Sequence, residues 1–153
     1  MSLSNAFFSA LNVVMRPLLR TGLMQSNLCI LHYTGRKSGK PYETPLSYVR
    51  EGQTVRLLSS YNTRWWTNFV AEARSVEVEI GGVRHAGEAR AITTDGDAFR
   101  DAVRAFLTAL PRDASVYGIA LETDRTPRES DIETCASHVV LIEVALGPVS
   151  PAA

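Results

Sequence analysis

The chain has 153 residues, of which 45% are hydrophobic, and its 16 basic and 16 acidic side chains cancel at neutral pH. A chain of this length forms about one domain and can bury a core without disulfides or metals. The balanced charge argues against nucleic acid as the main partner, because domains that bind nucleic acid carry a surplus of basic residues. We therefore expect a single domain over residues 1–153 whose partner is a small molecule.

We expect neither a signal peptide nor a transmembrane span among the amino-terminal residues. They lack a basic first region, and Asn12, Arg16 and Pro17 interrupt the apolar run. Cys29 and Cys135 lie in apolar or helix-like contexts without metal-ligand spacing. This pattern is typical of free, buried thiols in a reducing compartment, with a disulfide between them as the open alternative. We expect a cytoplasmic protein.

Apolar residues at helical spacing predict a helix over about residues 5–20, kinked at Pro17. We expect this helix to pack on the rest of the domain or on the partner of a homodimer. The open alternatives are a lid over a ligand site and contact with a membrane surface. Only Arg16 and Arg20 mark its polar face, and two cations are too few for strong attraction to lipid.

Short runs of alternating or continuous apolar residues predict strands. Their ranges are 27–34, 43–50, 54–60, 75–80, 83–92 and 139–146. Because turns such as Gly81-Gly82 are short, neighbouring strands must pair antiparallel. The last strand is nearly continuous in apolarity, which predicts a central position in the sheet.

Three helices are expected between these strands, within residues 61–73, over 95–110 and at about 128–136. The candidate caps are Asn62 or Thr63 for the first helix and Thr94 or Asp95 for the second. Residues 147–153 form a tail rich in proline and alanine. The pattern predicts a mainly β fold with flanking helices, in which six or so mostly antiparallel strands form a small barrel.

The most distinctive segment is Thr34-Gly35-Arg36-Lys37-Ser38-Gly39-Lys40-Pro41, which joins the first two predicted strands. Two strands with a short, glycine-bearing polar connection predict a β-hairpin. Glycine lets the backbone approach a ligand, and exposed N–H groups in such a turn can bind an anion. Arginine and lysine add charge-assisted hydrogen bonds to a phosphate. The segment therefore predicts either a phosphate-binding turn or a solvated hairpin tip.

The sequence contains no set of residues typical of catalysis by side chains alone. A Gly-x-Ser-x-Gly elbow, a Walker loop and a GxGxxG motif are missing, and His32, His85 and His138 lack metal-ligand spacing. We expect structural histidines, no metal site, and a solvated strand face carrying Glu77 and Glu79. If the protein is an enzyme, a cofactor must supply the reactivity.

The glycine-rich segment, followed by Thr44-Pro45-Leu46 and a second strand, resembles the deazaflavin-dependent nitroreductase and F420H2-dependent quinone reductase family. The resemblance extends over roughly residues 15–126 and is strongest at 28–49. It implies a split β-barrel of the FMN-binding type. It also implies an oxidoreductase that transfers a hydride from reduced coenzyme F420 to a small electrophile such as a quinone or enone.

The same resemblance implies roles for individual residues. The turn and the following strand would hold the phosphate tail of the coenzyme and line the path to its ring. The end of the third strand and the family's Trp-Tyr-x-Asn-Leu helix would lie beside the ring. The implied cofactor-binding residues are Arg36, Lys37, Ser38, Gly39, Lys40, Thr44, Pro45, Ser59, Ser60, Trp65, Trp66 and Asn68.

Some positions depart from the family pattern. Relatives carry a longer glycine-rich loop where this chain has only residues 61–64, and basic residues where it has Tyr42 and Tyr61. Ser60, Tyr61 and Tyr117 are the candidates for giving a hydrogen bond or a proton to the substrate. Two other functions stay open at this point. One is an FMN-dependent oxidoreductase of the same barrel class, and the other is a non-catalytic binder of a hydrophobic or flavin-like ligand.

Overall fold

A computed structural model describes residues 27–147, in which seven strands form one antiparallel sheet. The helix predicted over 5–20 and the tail beyond Gly147 lie outside the described residues. The strands are β1 (Leu28–Thr34), β2 (Pro41–Ser47), β3 (Val49–Glu51), β4 (Thr54–Ser60), β5 (Arg74–Ile80), β6 (Val83–Ile92) and β7 (Val139–Leu146). Their order across the sheet is β2-β1-β5-β6-β7-β4-β3.

The sheet is curled because its two edge strands are consecutive in the chain. Strands β2 and β3 lie at opposite edges, and only Tyr48 separates them. One residue spans at most about 3.5 Å, so the two edges must come together. Asn27 holds this corner: its carbonyl accepts the Tyr48 N–H at 2.8 Å, and its side-chain amide donates to the Tyr48 carbonyl at 3.3 Å. The strand predicted over 43–50 therefore divides into β2 and β3.

The inside of the curled sheet is filled by alternate residues of its strands. Val55 and Leu57 on β4 lie opposite Val144 and Ile142 on β7, and all four are fully buried. Their side chains share one face of the sheet because successive residues of a strand point to opposite faces. Strand β7 also contributes Val140 and Leu146, and the β4–β5 connection contributes Trp66 and Phe69. The remaining strands contribute Cys29, Leu31, Leu46, Val76, Val78, Ala89 and Ala91.

A second core lies on the outer face of β4 and β7, under a layer of helices. The α-helices are α1 (Asp97–Ala109) and α2 (Glu129–Thr134). The 3₁₀ helix η2 (Pro111–Tyr117) follows α1, and the 3₁₀ helix η3 (Cys135–Ser137) follows α2. Leu58 and Leu141 point outwards from the sheet into this layer. Phe99, Val103, Phe106 and Leu107 of α1 cover them at helical spacing. No helix within residues 27–147 combines the length and apolarity that crossing a bilayer requires.

The predicted mainly β fold with flanking helices is confirmed, and the architecture is that of a split β-barrel. Strand β7 lies between β6 and β4, the central position that its apolarity predicts. The helix predicted within 61–73 is wrong in extent, because only a 3₁₀ helix, η1 (Trp65–Phe69), forms there. The predicted caps are also wrong: Arg64 precedes η1 and Gly96 precedes α1, and neither helix has a side-chain cap.

The prediction of a solvated carboxylate at Glu79 is wrong. Glu79 is only 7% exposed, and its Oε1 atom lies 2.8 Å from His32 Nε2 and 3.7 Å from Arg84 Nε. Strand β1 pairs directly with β5, with Ile30 opposite Glu79, and this pairing brings His32 against the buried carboxylate. Glu77 is half exposed, as predicted.

Both cysteines are buried free thiols, as predicted, so the alternative disulfide does not form. Burial raises the pKa of the Cys135 thiol to about 11 and that of the Cys29 thiol well above its ordinary value. Both thiols therefore stay protonated at neutral pH, which makes them poor nucleophiles.

Replacing Leu57 tests the barrel core. Leu57→Ala should lower the free energy of unfolding by about 2–5 kcal/mol, because it removes a fully buried side chain and leaves a cavity. Urea denaturation followed by circular dichroism measures this change. The matched variant Val116→Ala, at a residue that is 67% exposed, should change the free energy by less than about 0.5 kcal/mol. Equal effects of the two variants would contradict the assigned core.

Candidate functional site

The tip of the β1–β2 hairpin is a closed turn held by its own backbone. The Gly35 N–H donates to the Lys40 carbonyl at 2.8 Å, and the Gly39 N–H donates to the Gly35 carbonyl at 2.9 Å. The Lys40 N–H donates to Ser38 Oγ at 3.2 Å. Gly39 has a φ of +70°, a conformation that favours glycine. The turn therefore presents Arg36, Lys37 and Ser38 in a fixed backbone shape.

Gly35 allows the turn to fold onto Tyr42. A Cβ atom at Gly35 would lie 2.5 Å from Ser38 Oγ and 2.9 Å from Tyr42 Cε2, closer than real Cβ atoms approach other atoms. The hairpin tip therefore depends on the absence of a side chain at this position.

The connection from β4 to β5 forms the opposite wall of the site. Here η1 places Trp66 and Phe69 inside the barrel and leaves Trp65 half-buried. Asn68 joins the two walls, because its Oδ1 accepts the Arg36 N–H at 2.8 Å. Its side-chain amide donates to the Trp65 carbonyl at 2.8 Å. The hairpin turn and η1 therefore form one unit.

A cleft of about 850 Å³ lies between these two walls. Its volume falls within the range of small-molecule and cofactor sites, roughly 300–1,000 Å³. The residues that line it are Tyr33, Gly35, Arg36, Lys37, Ser38, Tyr42, Glu43, Thr44, Thr63, Arg64, Trp65, Thr67 and Asn68.

Positive charge is in surplus at one end of the cleft. Arg36 and Lys37 extend from the turn, and Arg64 extends from the opposite wall. Among residues 27–147, none of these three cations forms an ion pair. The acidic residue of the lining, Glu43, lies 3.5 Å from His32 Nδ1 through its Oε1 atom. Such an end suits an anionic group, because uncompensated cations and backbone N–H groups stabilise phosphate.

Aromatic rings form the other part of the cleft. The rings of Tyr33 and Tyr42 are stacked with centroids 5.5 Å apart, and the ring edge of Phe69 meets Tyr33 at 5.7 Å. Trp65 packs against Phe69 at 6.4 Å. Burial raises the pKa of Tyr33 above its ordinary value, and the neighbouring Thr44 side chain partly offsets this rise. These rings offer a flat apolar surface next to the cationic end.

The structure brings together part of the set of residues predicted as cofactor-binding. Those that line the cleft are Arg36, Lys37, Ser38, Thr44, Trp65 and Asn68. Gly39 and Lys40 belong to the same turn but are not part of the lining, and Pro45 is buried beyond Thr44.

Ser59, Ser60 and Trp66 lie away from the cleft. Ser59 is 4% exposed, and its hydroxyl hydrogen-bonds to Thr63 Oγ1 at 2.6 Å. Ser60 Oγ donates to Asn62. The Trp66 indole N–H donates to the carbonyls of Thr63 and Ser60. Because residues 61–64 form so short a loop, Thr63 and Trp66 fold directly against the end of β4.

The other two residues predicted as donors to the substrate also lie outside the cleft lining. Tyr61 is 45% exposed and meets the edge of Trp66, with ring centroids 5.3 Å apart. The Tyr117 hydroxyl donates to the Leu58 carbonyl at 3.0 Å, within the second core under the helices. Burial raises the pKa of Tyr117 well above its ordinary value.

Sequence reasoning did not assign Tyr33, Thr63 or Thr67 to the site. Tyr33 precedes the glycine-rich turn, and its period-2 alternation with Leu31 was the available signal that it faces the interior. Thr63 and Thr67 carry no such signal, because their placement depends on the path of the short loop.

Comparison with known proteins identifies the family. The family model of the F420H2-dependent quinone reductases matches residues 15–126, which is more than half of the chain. The chain belongs to the F420H2-dependent quinone reductase family. It is therefore an oxidoreductase of a family whose cofactor is reduced F420.

Solved structures with low sequence identity share the fold of this reductase. An F420-H2 dependent reductase, FDR-A, is 21% identical with a TM-score of 0.53, and the match covers 77% of this chain and 93% of that chain. A domain-swapped dimer is 18% identical with a TM-score of 0.54, over 94% of this chain and 99% of that chain. A nimC/nimA family protein from Clostridium acetobutylicum is 12% identical with a TM-score of 0.52, and the match covers 79% of this chain and 73% of that chain. A search of curated proteins finds no match.

The residues of the cleft fit the cofactor of the family. F420 carries a phosphate-bearing tail and a flat ring, and the cleft joins a cationic turn to an aromatic surface. Membership in an enzyme family also favours catalysis over the alternative of a non-catalytic binder.

Gly35→Ala tests the shape of the hairpin turn. The added methyl group would collide with Ser38 and Tyr42, so the variant should lose about 1–3 kcal/mol of unfolding free energy. Its affinity for F420 should fall as well, since the turn must open. The matched variant Gly147→Ala places its Cβ in ordinary contact, 3.7 Å from the Ala86 carbonyl, and should change neither quantity. Urea denaturation and a fluorescence titration measure them, and an unaffected Gly35→Ala variant would contradict the closed turn.

Proposed function

We propose that this reductase transfers a hydride from F420H2 to a small electrophile such as a quinone or an enone, in the cleft between the hairpin turn and η1. The observation that carries this proposal is the surplus of cations, without ion-pair partners among residues 27–147, at one end of a cleft whose other end is aromatic. The cofactor supplies the hydride when it is bound. The protein binds, orients and shields the reactants.

Arg36 and Lys37 would hold the phosphate of the cofactor tail. Both side chains are exposed in the absence of ligand, and both line the cleft. Ser38 would add a hydroxyl, and Arg64 would approach the same anionic group from the opposite wall. Arg64 belongs to the short loop of the opposite wall, so both walls of the cleft would contact the phosphate.

Trp65 and Thr44 would contact the ring. Trp65 lies half-buried at the start of η1, where it is fixed against Phe69, and Thr44 lies on β2 beyond the tyrosine pair. The cofactor ring would then lie near the inner face of β2. It would not lie at the end of β4, as the family resemblance implied, because Thr63 and Trp66 fill the space there.

We also propose that the protein forms a homodimer and that its substrate is a small molecule. The match to a solved domain-swapped dimer supports the first point at the level of the fold. The size of the cleft supports the second, since a cavity of this volume admits a cofactor and a compact acceptor.

Removing both turn cations tests the proposed phosphate site. The Arg36→Ala, Lys37→Ala double variant should bind oxidised F420 at least about 10-fold more weakly for each cation removed, since a charge-assisted hydrogen bond contributes roughly 1.5–3 kcal/mol. Its binding should also depend less on salt concentration. Quenching of tryptophan fluorescence measures the affinity.

The matched control is Arg128→Ala, an exposed cation outside the cleft, which should bind like the unmodified protein. FMN is titrated in parallel. Unchanged affinity of the double variant would remove the turn from the site. Saturation by FMN and not by F420 would reassign the protein to FMN-dependent chemistry.

A further inference from the structure

Tyr33 lies where the cationic turn meets the interior of the barrel. The β1–β2 register pairs Tyr33 with Tyr42 and Leu31 with Thr44. Leu31 is part of the inner core, so alternation along the strands places Tyr33, Tyr42 and Thr44 on the same inner face. All three line the cleft. Among the inner-face residues of β1, Tyr33 is therefore the one nearest to the turn.

Neighbouring rings restrict the orientation of Tyr33. Tyr42 stacks on it at 5.5 Å with an interplanar angle of 23°, and Phe69 meets it edge-on at 5.7 Å. Phe69 is 1% exposed and cannot move aside without opening the core. Offset-stacked and edge-to-face pairs are the favourable geometries of aromatic rings. The phenol of Tyr33 is thus held in place within the cleft.

The other hydroxyl groups of the cleft are bonded within its wall or lie at its mouth, except that of Thr44, which hydrogen-bonds to the Tyr33 phenol. Thr67 Oγ1 donates to the Arg64 carbonyl at 2.6 Å, and Thr63 Oγ1 donates to the Ser60 carbonyl at 3.0 Å. Ser38 Oγ accepts the Lys40 N–H. The Tyr42 hydroxyl lies 3.5 Å from that same Ser38 oxygen, at the exposed mouth of the cleft.

Tyr33 is protonated at neutral pH. Burial raises its pKa, the Thr44 side chain lowers it by a smaller amount, and Tyr42 raises it further. A neutral phenol donates a hydrogen bond to a carbonyl oxygen and releases its proton only to a strong base. An oxygen that becomes a phenolate-like anion during reduction is such a base.

We propose that Tyr33 is a catalytic residue of this reductase, whose hydroxyl hydrogen-bonds to the carbonyl oxygen of the acceptor and gives it a proton as the hydride arrives. This inference rests on the proposed function. A quinone becomes a hydroquinone by gaining two electrons and two hydrogens. The hydride from F420H2 brings both electrons and one hydrogen, the Tyr33 O–H bond breaks to supply the other, and the phenolate regains a proton from water.

Two acceptors separate proton donation from a structural role. Menadione is a quinone and needs the proton, whereas the cation of a triarylmethane dye takes up a hydride at carbon and needs none. With F420H2, Tyr33→Phe should lower kcat for menadione by about 10²-fold or more, the usual contribution of a general acid. Its kcat for the dye should change less than about 3-fold. The matched control is Tyr48→Phe, which removes a half-buried phenol outside the cleft and should leave both rates unchanged.

Binding gives a second readout that does not depend on turnover. Without cofactor, menadione bound in the cleft should quench the fluorescence of Trp65, which lines it. Tyr33→Phe should weaken menadione binding by about 3–10-fold, since one hydrogen bond is lost. Its affinity for oxidised F420 should match that of the unmodified protein.

The outcomes are distinct. If the unmodified protein does not bind F420, the proposed function fails before Tyr33 is tested. If it binds and turns over, equal losses of both acceptor rates in Tyr33→Phe would show a structural role and overturn the inference. Full menadione activity in Tyr33→Phe would overturn it too, and so would loss of F420 affinity.

Discussion

The structure depends on the closure of the sheet at Tyr48. The chain passes from β2 at one edge of the sheet directly to β3 at the other edge. The sheet can therefore neither flatten nor open while this corner is intact. Closure, together with the antiparallel pairing of β1 with β5, places the β1–β2 hairpin beside the β4–β5 connection, although the two are distant in the chain. The hydrogen bond from the Arg36 N–H to Asn68 joins them. The cleft is thus a consequence of the barrel topology.

Within that cleft, charge and aromaticity separate along β1 and β2. The cations of the turn lie at the exposed end, where water can solvate them before a ligand arrives. The tyrosine pair follows, and the closed core begins at Leu31. The proposed phosphate recognition needs exposed charge, whereas the proposed hydride transfer needs an environment without water. A few residues of extended chain connect solvent to the core, so the two environments lie close together along the strands.

The sequence predicted the features that depend on local pattern. The alternation of apolar residues predicted the strands, and the two glycines with three cations predicted the shape and charge of the turn at Arg36 and Lys37. Glu79 could not be placed, because its burial depends on β1 pairing beside β5. Nor could pattern alone tell which of Trp65 and Trp66 enters the core. That choice follows from the short loop, which brings the Trp66 indole under the Ser60 carbonyl.

The central claim is that F420 occupies the cleft between the turn and η1, and an amide chemical-shift titration tests it most directly. Oxidised F420 is added to uniformly ¹⁵N-labelled protein, with FMN in a parallel series. The account predicts saturable shifts at the amides of Arg36, Lys37, Ser38, Trp65 and Asn68, and none along α1 and α2. Shifts confined to the helical layer, or saturation by FMN alone, would contradict it.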